Sequence, residues 1–368
     1  MDPITIALCG DVMTGRGVDQ VLPHPGDPAL REAWVRDARE YVELAERKNG
    51  PITRPVPLTG IWGDALAELE LAAPRARVIN LETSVTTSAD FWAGKEIHYR
   101  MHPANAGLLA AARIDVCTLA NNHVLDFGVA GLLETLRVVR ATGVTTAGAG
   151  ADFEEALAPA RIPVGDGALL VFSLGSVTSG VPPAWAARAD RPGVAWLPVP
   201  DERAAAAVAE RIARERAPGD RVIVSVHMGS NWGWSVPAEQ VRFAHALIEA
   251  GADIVHGHSS HHVRPIELHR GKLVLHGCGD FLNDYEGISG YERYRGDLAL
   301  LWVARIDPGD GRLIELVATP MQIRQLRPRY ASDVDRLWLF DTLARISGAA
   351  GARLHLGGDG RIRLRELS

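Results

Sequence analysis

Cysteine is scarce in this chain: Cys9, Cys117 and Cys278 are the only three. No two have the spacing of a metal knuckle or a redox pair, and an odd number cannot form a complete disulfide set. Each lies in or beside an apolar stretch, so buried free thiols in a reducing compartment are expected. Basic charge is not in excess either. The formal net charge is -6, which removes a nucleic-acid surface built on Lys and Arg. No apolar run is long enough to span a bilayer. The opening MDPITIALCGD has neither the basic start nor the long apolar centre of a signal peptide. A cytoplasmic chain with no membrane span and no nucleic-acid partner is therefore expected. Three enzyme signatures are also missing. There is no G-x-S-x-G elbow, no P-loop, and no Rossmann glycine fingerprint after a strand; Gly148-Ala149-Gly150 lacks the rest of that pattern. Internal repeats and low-complexity tracts are absent.

What is present is an ordinary globular balance. The 368 residues are 47% hydrophobic and 23% charged, enough for one large domain or two smaller ones. Short apolar strands are predicted at Ile4–Cys9, Arg77–Leu81, Ile114–Leu119, Arg221–Val226 and Asp253–Val255. Amphipathic helices are predicted between them, at Ala65–Ala73, Ala104–Arg113, Val129–Ala141, Asp201–Arg216 and Pro237–Ala250. Such alternation indicates an α/β fold with a largely buried sheet. Residues 12–62 form an insertion, with a charged helix over Leu30–Lys48 and a proline-rich Pro51–Pro57. Val177–Pro200 is a long loop rich in Pro, Gly and Trp. Beyond Leu268 come strands at Leu273–His276, Leu298–Arg305 and Leu313–Ala318, a helix over Ser332–Ile346 and a short tail. One domain over 1–330, with an insertion around 20–60, and a C-terminal piece over 331–368 packed on it are expected.

The chemistry gathers where the strands end. Each of the five runs into a polar group: Asp11, Glu82, Asn122-His123, His227, and the cluster His256, His258, His261 and His262. In open α/β sheets the carboxyl edge is where sites assemble. A single Asp there is often a turn or cap residue, but five strands ending this way point to one shared site. A carboxylate can bridge two cations and neutral imidazole suits Zn, Fe, Mn or Ni, and this mixed set exceeds what one tetrahedral ion takes. Two ions would use it more fully. His256 and His258 share a side if the strand continues to Gly257. His262 is left open as an outward or supporting group. His123 is a candidate proton donor, and Asp126 either orients it or caps the next helix. Arg16 either grips an anionic substrate or pairs with a local acid. Trp232 and Trp234 either wall a pocket or pack. Asp280, in GCGDFLNDYEG, either holds a ligating histidine or belongs to a simple acidic loop.

Six segments carry a resemblance: GDVMTGR (10–16), NLETSVT (80–86), LANNHVLDFG (119–128), SVHMGSNW (225–232), HGHSSHHVRPIE (256–267) and GCGDFLNDYEG (277–287). With these the sequence resembles the CapA-type bacterial capsule (poly-γ-glutamate) synthesis proteins, the PGA_cap family, which are similar in fold to calcineurin-like metallophosphoesterases. The resemblance implies a four-layer α/β/β/α sandwich of two mixed sheets flanked by helices. It implies one or two divalent ions, Mn, Zn, Fe or Mg. Asp11 would hold one, Glu82 would bridge, Asn122 and His227 would hold the other, and His256, His258 or His261 would complete the shells. His123 would give a proton to the leaving group. Three departures stand out: Met13 where that fold has a histidine, Glu82 where it has an aspartate, and the His258-x-x-His261 spacing.

The leading expectation is a metal-dependent hydrolase, with activated water attacking a phosphoester or γ-glutamyl amide bond of an anionic substrate held near Arg16 and Trp232. The alternatives are a non-catalytic accessory subunit of poly-γ-glutamate capsule synthesis and an amide-forming tailoring enzyme. Homo-oligomerisation is left open.

Overall fold

A computed structural model describes residues 2–348 and 351–365. Among them are two large mixed sheets. In the first, Ile4–Val12, Ala76–Leu81, Val116–Thr118 and Thr145–Ala147 run parallel in that order. On the other side of Ile4–Val12 the sheet turns antiparallel, through Leu298–Ile306, Leu313–Ile323, Ile362–Arg365 and Leu354–Leu356. The short strand Asp280–Leu282 pairs in parallel with the carboxyl end of Ile4–Val12, placing Asp280 opposite Asp11. In the second sheet Gly167–Ser176, Arg221–His227, Ile254–His258 and Lys272–Leu275 are parallel, and Ile266–His269 closes one edge antiparallel.

Side-chain alternation builds the layers. Along the first strand Ile6 and Leu8 face an apolar cluster that also takes Val78, Val171, Ile223, Ile254, Leu275 and Trp302, so this cluster lies between the sheets. Ala7 and Cys9 face the opposite way, into a cluster with Ile79, Leu69 of the helix Ala65–Ala72 and Leu132, Leu136 and Val139 of the helix Gly128–Ala141. A third cluster joins Leu170, Phe172, Val222 and Val224 to Ile212 of Glu202–Glu215 and Phe243 and Leu247 of Ala238–Glu249. Three apolar interfaces separate four layers, and the fold is an α/β/β/α sandwich. The helix Asp333–Ser347 sends Leu339 and Leu343 into the inter-sheet cluster, beside the strands Leu313–Ile323 and Ile266–His269.

Trp302, fully buried and among the largest side chains of the inter-sheet cluster, is the side chain whose loss this layer should feel most. Trp302→Ala should lower the chemical-denaturation stability by about 3–5 kcal/mol, the range for a core aromatic truncated to alanine. A loss below about 1 kcal/mol would place the main core elsewhere.

Three expectations need correction. The helix expected over Leu30–Lys48 spans only Arg39–Asn49. Residues before it fold into a paired turn, with Leu30 N–H donating to Arg36 O and Ala38 N–H to Pro28 O. The Asp37 carboxylate accepts from Arg39 N–H, at the helix's first residue, at 2.9 Å. The helix expected over Ala104–Arg113 is a tight turn at Pro103–Asn105 and one short helix, Gly107–Ala111. The strands Ala160–Val164 and Gly167–Ser176 were not among the expected elements.

Candidate metal centre

The site begins at Gly10. The pairing of Ile4–Val12 with Ala76–Leu81 shifts register between Cys9 and Asp11, and Asp11 N–H donates to Gly279 O at 3.1 Å. A Cβ on Gly10 would sit 1.7 Å from that same carbonyl oxygen, so only glycine allows the two backbones to meet. The kink turns the Asp11 carboxylate, which is completely buried, into the gap between the two sheets' carboxyl edges. Its Oδ1 accepts from Asn80 Nδ2 at 2.7 Å and its Oδ2 from Ser259 N–H at 3.1 Å. Ser259 has φ 100, a conformation a non-glycine residue keeps only when its surroundings impose it. Here it aims a backbone donor at Asp11.

From the second sheet come His227 and His258, at paired positions on adjacent parallel strands. A run of hydrogen bonds allows an assignment of their protons that leaves both Nδ1 atoms bare. Cys9 O can only accept, so His256 Nε2, 2.9 Å away, carries a proton. His256 Nδ1 then takes the Ser225 hydroxyl proton at 3.1 Å. Ser225 Oγ in turn accepts from His258 Nε2–H at 2.8 Å, which leaves His258 Nδ1 a bare lone pair. Asn122 Oδ1 accepts from His227 Nε2–H at 3.0 Å, leaving His227 Nδ1 bare as well. These two bare nitrogens are 2.7 Å apart. Two lone pairs at that separation repel, and Asp11 Oδ1 lies 3.7 Å from one of them. A cation removes the conflict. Ligating histidines commonly donate their second N–H to a fixed acceptor, the arrangement both rings have. Burial, and then the neighbouring imidazoles, hold both rings far below the usual histidine range, in the neutral form a metal requires.

A second group shares Asp11. His261 Nδ1 is 2.9 Å from Asp280 Oδ1, and ligand atoms of Asp11, His261 and Asp280 lie within 4.8 Å of one another, as do those of Asp11, His227 and His258. Burial and then the Asp280 charge push the Asp11 carboxyl well above the usual carboxylate range. Glu82 is pushed up the same way, by burial and then by Asp11. Burial opposes the charged form of His261, but the pair with Asp280 outweighs it and its pKa is raised. Asp11, Glu82 and Asp280 crowded in a dry gap are costly alone and favourable around a divalent ion.

Beside this gap is a dyad. His123 Nδ1 donates to Asp126 Oδ2 at 2.6 Å, and His123 Nε2 faces Glu82 Oε1 at 3.7 Å. Asp126 makes no helix-cap bond; its oxygens take His123, Tyr99 N–H at 2.8 Å and Lys95 Nζ at 2.6 Å. Lys95 Nζ also donates to Asn122 O. Burial, with Lys95 as a further cause against the partial support of Asp126, brings the His123 pKa down to about 4. The ring is neutral near pH 7, with its Nε2 turned to the Glu82 carboxyl group.

The family model of the bacterial capsule synthesis protein PGA_cap matches residues 5–285, and every residue of both groups lies inside that span. The chain belongs to the PGA_cap family. It is 50% identical over 355 residues to a probable polyglutamine synthesis accessory protein of Mycobacterium tuberculosis, covering 96% of this chain and 93% of that one. It is 28% identical over 328 residues to the PGA biosynthesis protein CapA of Bacillus subtilis, covering 89% of this chain and 73% of that one. The capsule biosynthesis protein CapA of Bacillus anthracis is 23% identical over 332 residues, with 89% and 69% covered. A crystal structure from Thermus thermophilus is a remote likeness, with TM-score 0.36 and 8% identity over 84% of this chain and 97% of that one, and carries no argument.

In this PGA_cap chain the expected residues are brought together unevenly. Asp11, His227, His258 and His261 converge. Glu82 borders them, its Oε1 3.8 Å from His227 Nε2, and Asn80 Nδ2 links it to Asp11. Asn122 lies on the far edge of the His227 ring and orients it rather than joining the group. His256 is a correction: the strand does continue through Gly257 to His258, but both His256 ring nitrogens are taken, by Cys9 O and Ser225. Arg16 is also a correction. Its guanidinium forks onto Asp284, at 2.5 and 3.1 Å, and reaches Glu32 at 2.9 Å, so it braces the insertion against the site and has no free fork for an anion. Trp232 stacks on Tyr291 with ring centroids 4.1 Å apart and walls a cavity of about 550 Å³ beside His261. His262 packs against Trp232 and accepts from Gly233 N–H, away from Asp11. Met13, where a histidine would stand in the related fold, takes only the Tyr285 hydroxyl, at 3.7 Å from its sulfur.

Proposed function

We propose that this protein is a metal-dependent hydrolase acting on a phosphoester or γ-glutamyl amide bond of an anionic substrate, in the polyglutamine, PGA or capsule synthesis its relatives are named for. The facing Nδ1 atoms of His227 and His258 beside the Asp11 carboxylate carry this reading, because a cation there would take both lone pairs and the carboxylate charge at once. His227, His258 and Asp11 would hold one divalent ion, and Asp11, His261 and Asp280 a second, with Glu82 next to both. Imidazole with carboxylate suits Zn, Fe or Mn better than Mg. Bound ions would supply Lewis acidity toward the substrate oxygen and acidify a water.

The chain's own groups manage position and protons. Neutral His123 offers Nε2 as an acceptor, so it takes a proton before it returns one to a leaving group. Asp126 keeps Nδ1–H in place and stabilises the imidazolium that forms. Lys95 fixes Asp126 and the Asn122 carbonyl together. His123→Asn should retain the bound metal and lose turnover by about 10²–10⁴-fold, read from steady-state rates and metal content on one sample. A loss under about fivefold would remove His123 from the chemistry.

The deciding experiment strips the protein with a chelator and reloads Mn, Zn, Fe or Mg before assaying phosphoesters and γ-glutamyl amides. Turnover that returns with metal supports the hydrolase. The name of the mycobacterial relative, an accessory protein, favours a second reading as a non-catalytic partner of a polymer ligase. Full metal loading without turnover, co-purification with a ligase, and unchanged polymer synthesis in His123→Ala would select it.

A further inference from the structure

The cavity beside His261 has chemistry that a binder of bare polyanion would not need. Its volume, about 550 Å³, is that of a small-molecule site. Its walls are aromatic and aliphatic: Tyr99, Trp232, Tyr285, Ile288 and Tyr291. Tyr291 is half exposed and Ile288 is 44% exposed, so apolar surface stands open at the mouth. Cations are present but engaged. Arg16 is held by Asp284 and Glu32. Arg295 bonds Asp297 at 2.8 and 2.9 Å and Asp335 at 2.7 Å. That leaves Lys48, exposed at the rim and shadowed by Glu292 and Asp297. A strand of carboxylates needs a row of free Lys or Arg forks, and this cavity does not offer one. Its inner end reaches His261 and Tyr285, and the Tyr285 ring lies edge-on to His261 at 5.2 Å.

We propose that this cavity seats a planar apolar group, an aryl or comparable ring, on the substrate whose reacting bond lies at the His261–Asp280 end. The site then selects an anionic ester or amide bearing such a ring over an unadorned γ-glutamyl chain. Tyr291 and Trp232, stacked with their planes 4° apart, form the fixed wall against which the ring lies, and ring–ring contact adds to the apolar burial. The proposal rests on the cage being the reaction centre, but its test does not.

The test is calorimetric binding to the full chain, chelator-treated and Mn-loaded, with two probe pairs: phenyl phosphate against methyl phosphate, and γ-glutamyl-anilide against γ-glutamyl-glutamate. The aryl member of each pair should bind at least about tenfold tighter, a gap of about 1.4 kcal/mol. Tyr291→Ser and Ile288→Asp, at exposed positions that should not disturb folding, should each reduce that preference at least about threefold; Trp232→Ala should abolish it. Equal affinity within the pairs, tighter γ-glutamyl-glutamate, or a preference unchanged in all three variants would overturn the proposal. An aryl preference in protein that binds no metal would uphold the cavity and sink the cage.

Discussion

Asp11→Asn should abolish divalent-metal binding at both groups while leaving the metal-free protein folded. Asp11 belongs to each of the two ligand groups, so its loss cannot be covered by either. Partners that merely orient ligands already change metal affinity about 10–100-fold, and a shared ligand should exceed that. The metal-free effect should be small for an opposing reason. The substitution removes a buried acid crowded by Asp280 and Glu82. It also replaces one of two acceptors, facing Asn80 Nδ2 and Ser259 N–H, at a net cost of about 1 kcal/mol. Native protein at a metal concentration a thousand times Kd should gain about 4 kcal/mol, a few degrees in thermal midpoint for a chain of this size. The variant should gain none. Thermal scans with and without Mn or Zn check both halves. A variant that unfolds without metal, or one that keeps the metal-dependent rise, contradicts this account.

Gly10→Ala should have the largest structural effect of any single methyl in the chain's active edge. The new Cβ would meet Gly279 O at 1.7 Å and the carbonyl carbon at 2.9 Å. Both belong to backbone, so no side chain can swing away. Relief requires separating Ile4–Val12 from the segment that brings Asp280 opposite Asp11. Destabilisation of at least about 3 kcal/mol is expected, the upper part of the overpacking range, together with loss of the Asp11–His261–Asp280 group. Chemical denaturation reads the first and metal titration the second. A variant as stable as the native protein would mean that the two segments do not meet as described.

The α/β class was legible in the alternation of apolar strands with helices, and the four-layer sandwich only through the family resemblance; the strands near the site were marked by the groups they end in, Asp11, Glu82, His227 and the histidine cluster. Gly167–Ser176 was not. It is buried over most of its length, so ALLVFSLGS shows no alternation, and it ends without a ligand to draw notice. The convergence of distant residues was legible too, but the division of labour among them was not. His256 and His258 look alike in sequence; what separates them is the Cys9 carbonyl, 247 positions away. Lys95 lies in an irregular stretch and acquires its place only through Asp126, 31 residues on. Asp280 was readable as a turn acid or a support for histidine, and only the parallel pairing with Asp11 brings it to the second group. Arg16 was open in the sequence between gripping an anion and pairing with a local acid, and only the fold brings Asp284 and Glu32 to occupy it.

The measurement that bears most directly on the central claim is anomalous X-ray scattering from crystals soaked in Mn or Zn, paired with elemental analysis of the same protein. One or two divalent ions per chain are expected, the first with His227 Nδ1, His258 Nδ1 and an Asp11 oxygen at about 2.0–2.2 Å, the second near His261 and Asp280. No anomalous peak within coordination distance of Asp11, in protein shown to be folded and fully exposed to the metal, would contradict it.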